Sequence, residues 1–191
     1  MRYGILASVS FIAVGAIATG CSHNKPVSAP STAASPNRAA TDAAELERAK
    51  LREEADRAAA AAKADAERAE RAREQTRSTI TTPVRFEFDR AELTDAALQL
   101  LDAKVEALQS NPAIRVRIEG NADDSGSDEY NMALSQRRAA IAHRYFTDRG
   151  IDAGRLQIVS FGEEKPSCTT GRDEPCRAQN RRDEFVILSG L

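Results

Sequence analysis

The stretch from Gly120 to Ala139, GNADDSGSDEYNMALSQRRA, holds the side chains whose types and spacing could do chemistry. Asp123 offers a carboxylate in a polar segment, Asn121 to Ser127, that follows an alternating run. Asn131 and Arg138 stand seven residues apart beyond it, so on a helix they share one face two turns apart. Such a helix presents an amide and a guanidinium toward the loop carrying Asp123. A carboxylate and a guanidinium held close together suit a zwitterion, a ligand with one ammonium and one carboxylate. Arginine fits the second role because its planar fork grips a carboxylate through two hydrogen bonds. Blander roles compete with this one. Asp123 can simply end a loop, and Arg138 can be half of a surface ion pair of little worth. Asp128 and Glu129 read as acids that stabilise a helix N-terminus, and Arg137 is expected to face solvent.

Other chemistries find little support. The two histidines are His23 and His143, and neither a Ser-His-Asp arrangement nor an HExxH motif is visible. Asp123 and Asp124 are adjacent and project differently, so they make a poor acid–base pair, and no enzymatic activity is expected. In DDSGSDE the glycine, Gly126, falls fourth from Asp123 and not sixth, as an EF-hand turn requires. No metal or cofactor is expected. A net charge of −2 argues against a strongly basic nucleic-acid binder, and the absence of tryptophan with 5% aromatics argues against a stacking platform.

These side chains need elements to position them. Val84 to Phe88 alternates and reads as a strand. Thr94 is a candidate N-cap, and Ala97, Leu101, Val105 and Leu108 form one helical face that Asn111-Pro112 stops. Ile114 to Glu119 alternates as a half-buried strand. A second helix is expected over Asp128 to Arg149, ended by Gly150, with Leu134, Ile141 and Tyr145 toward the core. Leu156 to Phe161 and Glu184 to Leu188 supply two more strands. Helices alternating with strands that bury one face predict an α/β sandwich, with helices packed on one side of a small sheet.

The chain of 191 residues is long enough for one such domain and an N-terminal extension. Residues 1–20 read as a signal peptide: Arg2, an apolar run, then Ala18-Thr19-Gly20 ahead of Cys21. The junction resembles a bacterial lipobox, which implies lipidation of Cys21, palmitate among its chains, and stable anchoring by two or more of them. Residues 21–37, rich in Ser, Pro and Ala, read as a flexible tether. Residues 38–81 lack Gly and Pro and are dominated by Ala, Glu, Arg, Lys and Asp, which predicts a long helical spacer. Its alanine stripe at Ala55, Ala59, Ala62, Ala66 and Ala69 has coiled-coil spacing, so an oligomeric structural lipoprotein competes with a solvated single helix. If Cys21 carries lipid, Cys168 and Cys176 remain in an oxidising compartment and are expected to form a disulfide. Closing so short a loop is worth roughly 2.5 kcal/mol on the chain-entropy model.

Residues 82–191 resemble the OmpA-like peptidoglycan-binding family. The resemblance is carried by FEFDRAEL (Phe86 to Leu93), the GxADxxGxxEYN stretch, NxxLSxxRA (Asn131 to Ala139), Gly150-Ile151, FGEEKP (Phe161 to Pro166) and AQNRR (Ala178 to Arg182). The resemblance implies a βαβαββ sandwich on a small mixed sheet and non-covalent binding of peptidoglycan through the diaminopimelate of its stem peptides. By resemblance Asp123 and Arg138 take the primary ligand positions, Asn131 a supporting one, and Asp89 and Arg181 border the same pocket. Asn121 and Ala122 stand where the family commonly has His and Thr. Replacing Asp123 or Arg138 by Ala is expected to abolish binding with the fold intact. Ser22 after Cys21 implies the outer membrane, periplasmic face, as the location. Other envelope proteins, those of the Tol system included, are the expected protein partners, and an envelope hydrolase is the remaining alternative.

Overall fold

The computed structural model describes residues 36–191; the signal segment, Cys21 and nearly all of the tether lie outside the described residues. Helix α1 spans Pro36–Thr81. Its part up to Arg52 and the region Glu53–Leu191 are separate units. From residue 38 to 75 every α1 residue is exposed, as expected for a run of helix formers without an apolar face. Ion pairs at helical spacing such as Arg57–Glu53 and Arg77–Glu74 line its surface.

The last turn of α1 behaves differently. Ile80 is 1% exposed and belongs to the apolar core. Beneath it the Nζ of Lys104, itself buried, donates to the carbonyls of Thr79 (2.7 Å), Ile80 (2.9 Å) and Thr82 (2.6 Å). The final carbonyls of a helix lack partners within it, and one ammonium with three donors satisfies three carbonyls here.

The remaining elements are β1 (Val84–Arg85), α2 (Asp95–Ser110), β2 (Arg115–Asn121), α3 (Asp128–Asp148), β3 (Leu156–Ser160), α4 (Glu174–Asn180) and β4 (Arg182–Ser189). The strands form one sheet in the order β1-β4-β2-β3, with β4 antiparallel to β1 and β2, and β3 parallel to β2. This is the mixed α/β sandwich expected. Alternation in β2 sorts Val116 and Ile118 into the core, where Ile114 just ahead of the strand joins them. On the other face Arg117 and Lys165 pair with the buried carboxylate of Glu119, and Lys165 also reaches Glu184.

The helices pack as their patterns require, with some corrections. Thr94 caps α2 by accepting from the N–H of Ala97 (3.2 Å), and Ala97, Leu101, Val105 and Leu108 are buried. On α3 the buried line runs through Asn131, Leu134, Ser135, Arg138, Ala139, Ala142 and Phe146. Ile141 is exposed, because the 3.6-residue period turns it away from that line. Strand β1 is shorter than the expected Val84 to Phe88. After Phe86 donates to Arg181 O (3.0 Å) the chain leaves the sheet in a turn, where Arg90 N–H donates to Glu87 O (3.2 Å). A third helix, α4, stands between β3 and β4, so the order is βαβαβαβ. Its seven residues are too few for a readable period, although Asp173 caps it by accepting from Cys176 N–H (3.3 Å). Cys168 and Cys176 form the expected disulfide.

Candidate functional site

A cleft of about 200 Å³ opens where the end of β2, the turn after β1, the start of α3 and the chain before β4 converge. It is lined by Phe88, Asp89, Asp123, Tyr130, Asn131 and Arg138 among others, with Arg181 beside Asp123. The five residues singled out in the sequence therefore share one site.

Local chain chemistry explains how each arrives. Ser127 caps α3 by accepting from Tyr130 N–H (3.3 Å), so the helix starts just beyond the loop and turns its first buried residue, Asn131, back toward it. Asn131 Nδ2 then donates to Asp123 O (3.1 Å) and to Glu163 (2.6 Å), joining the loop to the segment after β3. One turn on, α3 passes so close to β2 that a Cβ on Gly120 would lie 2.2 Å from Ser135 O. Only glycine permits that approach.

Arg138 lies on the floor of the cleft and is fully buried. Its Nε donates to Arg90 O (2.7 Å), Nη1 to Asn121 O (3.2 Å) and Nη2 to Glu87 O (3.2 Å). The guanidinium also stacks over the Phe86 ring, 4.9 Å from its centre. Burial brings its pKa down to about 10, so it stays charged at neutral pH. One side chain thus ties the turn after β1 to the end of β2. Five N–H donors and three acceptors leave donors for a further acceptor.

Asp123 is nearly as buried and is neutralised by Arg181, whose Nη1 donates to its Oδ2 (2.8 Å). Its Oδ1 accepts from Ser125 N–H (3.0 Å), which shapes the loop. Arg181 also contacts Glu174 on α4 and donates to Phe86 O (3.3 Å). Next door, Asp124 accepts from Arg177 (2.8 Å) and pairs with Arg172 (3.1 Å). The Arg177 bond and charge hold the Asp124 carboxyl below its usual range.

This geometry revises the expectation that Ala substitutions would spare the fold. Removing Arg138 strands three buried or part-buried carbonyls, and removing Asp123 leaves Arg181 without its buried partner. Asn121 serves the site through its main-chain oxygen, while its side-chain Nδ2 donates to Glu119 O (2.9 Å).

Of the accessible rim, Asp89 was singled out in the sequence but its two aromatics were not. Phe88 and Tyr130 are exposed aromatics, 58% and 43% respectively, that both line the cleft. The Tyr130 hydroxyl donates to Asp89, and that carboxylate raises the Tyr130 phenol pKa. Arg137 lies 5.9 Å over the Tyr130 ring. Asp89 has φ +55°, a left-handed conformation costing on the order of 1 kcal/mol or more for a non-glycine residue, and such strain gathers at functional sites. The signal was present in the pairing of an aromatic with Asn131 in EYN and with Asp89 in FEFD.

Residues 85–181, about half of the chain, match the OmpA family. The peptidoglycan-associated lipoprotein of Haemophilus influenzae is 46% identical over 99 residues, 52% of this chain and 64% of that protein. Its namesake in Pseudomonas putida is 45% identical over 100 residues, 52% of this chain and 59% of that protein. The match thus spans less than two thirds of these relatives. Among solved structures, the peptidoglycan-associated lipoprotein of Burkholderia pseudomallei superposes with a TM-score of 0.53 at 38% identity, covering 55% of this chain and 88% of that one. The C-terminal domain of Helicobacter pylori MotB shares the fold, with a TM-score of 0.53 at 18% identity over 56% of this chain and 84% of its own. A match over half the chain, on the segment that holds α2, α3, α4 and every residue lining the cleft, places this protein in the OmpA family.

Proposed function

We propose that the protein binds peptidoglycan non-covalently through this cleft and acts as an envelope lipoprotein without catalysis. The observation that carries the reading is the gathering of two carboxylates, Asp89 and Asp123, with the buried guanidinium of Arg138 around a space of about 200 Å³. That space suits an amino-acid head better than a saccharide chain. The zwitterionic end of diaminopimelate places its carboxylate on the spare Arg138 donors and its ammonium toward Asp89 and the Asp123 loop. Phe88 and Tyr130 flank the aliphatic stem, and Asn131 holds the loop in register. The names of the relatives support this reading. A lipid on Cys21 would hold the protein at the outer membrane, with α1 as spacer between anchor and wall. Tol-type envelope proteins are the candidate protein partners.

Co-sedimentation with diaminopimelate-containing sacculi tests the reading. The rim variants D89N and Y130A are the informative ones, because neither residue belongs to the buried frame. Each should weaken binding on the order of tenfold, one to two hydrogen bonds' worth, with an unchanged melting temperature. Undiminished binding in both would refute this cleft as the site.

A further inference from the structure

Asp183 on β4 has no counterpart among the interactions described so far. It is fully buried, and both carboxylate oxygens lack a hydrogen-bond partner. Its cross-strand neighbours are Val84 and Gly120, neither of which offers a side-chain donor. Buried carboxylates are otherwise paired or hydrogen-bonded. On its strand it shares the core-facing side with Phe185, over whose ring Lys104 of α2 sits at 4.7 Å. Gly120, its partner on β2, lies against Ser135 and Ala139 of α3. The main-chain oxygen of the next residue, Asn121, accepts from Arg138 Nη1 (3.2 Å). Arg138, on the floor of the cleft, is thus the α3 cation held at this point of the sheet, and it attracts the Asp183 carboxylate. The Asp183 carboxylate in turn favours the Arg138 cation, as Asp123 and Asp89 do, while Arg181 opposes it.

We propose that Asp183 is a positioning residue that acts through Arg138, competing with a bound carboxylate for the guanidinium, so that the cleft takes up a proton with its anionic ligand. This rests on the peptidoglycan reading above. When a ligand carboxylate settles on the spare Arg138 donors, a second negative charge behind the same guanidinium is repelled. Asp183 then accepts one proton from solvent and becomes a neutral acid, and the cleft keeps its charge balance. Burial already favours that neutral form, raising the Asp183 pKa well above the ordinary carboxyl range against the pull of Arg138. The other charged groups at the cleft are Asp89, Asp123, Arg138 and Arg181, with Glu163, Glu174 and Arg137 against its lining residues, and Lys104 lies on the core-facing side of β4. All are retained in a variant changed only at Asp183.

The test uses the whole lipid-free protein and a soluble stem-peptide fragment ending in diaminopimelate, titrated by calorimetry between about pH 5 and about pH 8 in buffers of different ionisation enthalpy. Wild type should take up protons on binding, and its affinity should fall with rising pH by at most about tenfold per unit. Both D183N and D183V, two neutral replacements of similar size, should lose the proton uptake and bind more tightly than wild type at the upper end. A merely structural role would move the melting temperature and leave the proton count in place. Wild-type binding without proton uptake, or uptake surviving in either folded variant, overturns the proposal while leaving the cleft as the binding site. Failure of wild type to bind at any pH overturns the peptidoglycan reading and this inference with it.

Discussion

At the scale of single residues, the site separates into a buried frame and an accessible rim. Arg138, Asp123 and Arg181 hold three chain segments by hydrogen bonds to main-chain oxygens and to one another. Phe88, Asp89 and Tyr130 line the opening of the cleft. On the proposed reading the same Arg138 guanidinium serves folding and recognition. R138A should lose about 3 kcal/mol of stability, since each stranded buried acceptor costs on the order of 1 kcal/mol or more. R138K should lose less, because an ammonium retains donors but not the planar fork. Urea denaturation of both variants checks this, and equal stability of R138A and wild type would refute the strut role. Asp183 gives a pH dependence of known sign. Its folded pKa is raised, so its contribution is most favourable below the ordinary carboxyl pKa of about 4 and is lost as pH rises toward the folded value. D183V should accordingly gain on wild type in melting temperature as pH rises from about 4 toward neutrality.

At the scale of elements, the cleft depends on how close α3 comes to β2 and on how α4 is held. Gly120 is the contact point of the first pair. G120A should cost about 3 kcal/mol or more, because overpacking against backbone has no flexible neighbour to yield. Thermal melts decide it, and a shift within a degree of wild type would contradict the contact. The second holding point is the Cys168–Cys176 disulfide, which fixes the start of α4. There Glu174 meets Arg181, and Arg177 meets Asp124 in the loop after β2. The double variant C168S/C176S should lose about 2 to 3 kcal/mol. It should also bind sacculi more weakly than its stability loss alone explains, measured at a temperature where it remains folded.

At the scale of the molecule, the open matter is whether α1 associates. Its large apolar residues Leu46 and Leu51 are more than half exposed, and the alanine stripe lies on a helix exposed throughout that region. Alanine buries too little area to drive association without larger neighbours. The chain without its first 21 residues should therefore sediment as a monomer at micromolar concentration, and a stable trimer would favour the zipper. At the other end of α1 the Lys104 cap joins the helix to the core around Ile80. K104M should fray that last turn, seen as faster amide exchange at Thr82 and its neighbours.

By itself the sequence determined the strands and the two long helices of the domain, because their apolar residues recur at periods of two and 3.6. Leu134 on α3 and Val116 and Ile118 on β2 were legible for that reason. It also left Cys168 and Cys176 as the expected pair once Cys21 is set aside for lipid. Helical spacing put Asn131 and Arg138 on one face, and the order of motifs shared with the family added Asp123, Asp89 and Arg181 to the same pocket. Helix α4 escaped because seven residues carry no period, and β1 read too long because alternation continues past the point where the chain leaves the sheet. Only the tertiary structure decided which of those five residues are buried. A guanidinium looks the same in sequence whether it meets solvent or three carbonyls from segments about fifty and seventeen residues away. Asp183 shows the same limit most sharply. Its neighbours in RRDEF are charged, and only the packing of α3 over β4 leaves it buried beside Arg138 without a partner of its own.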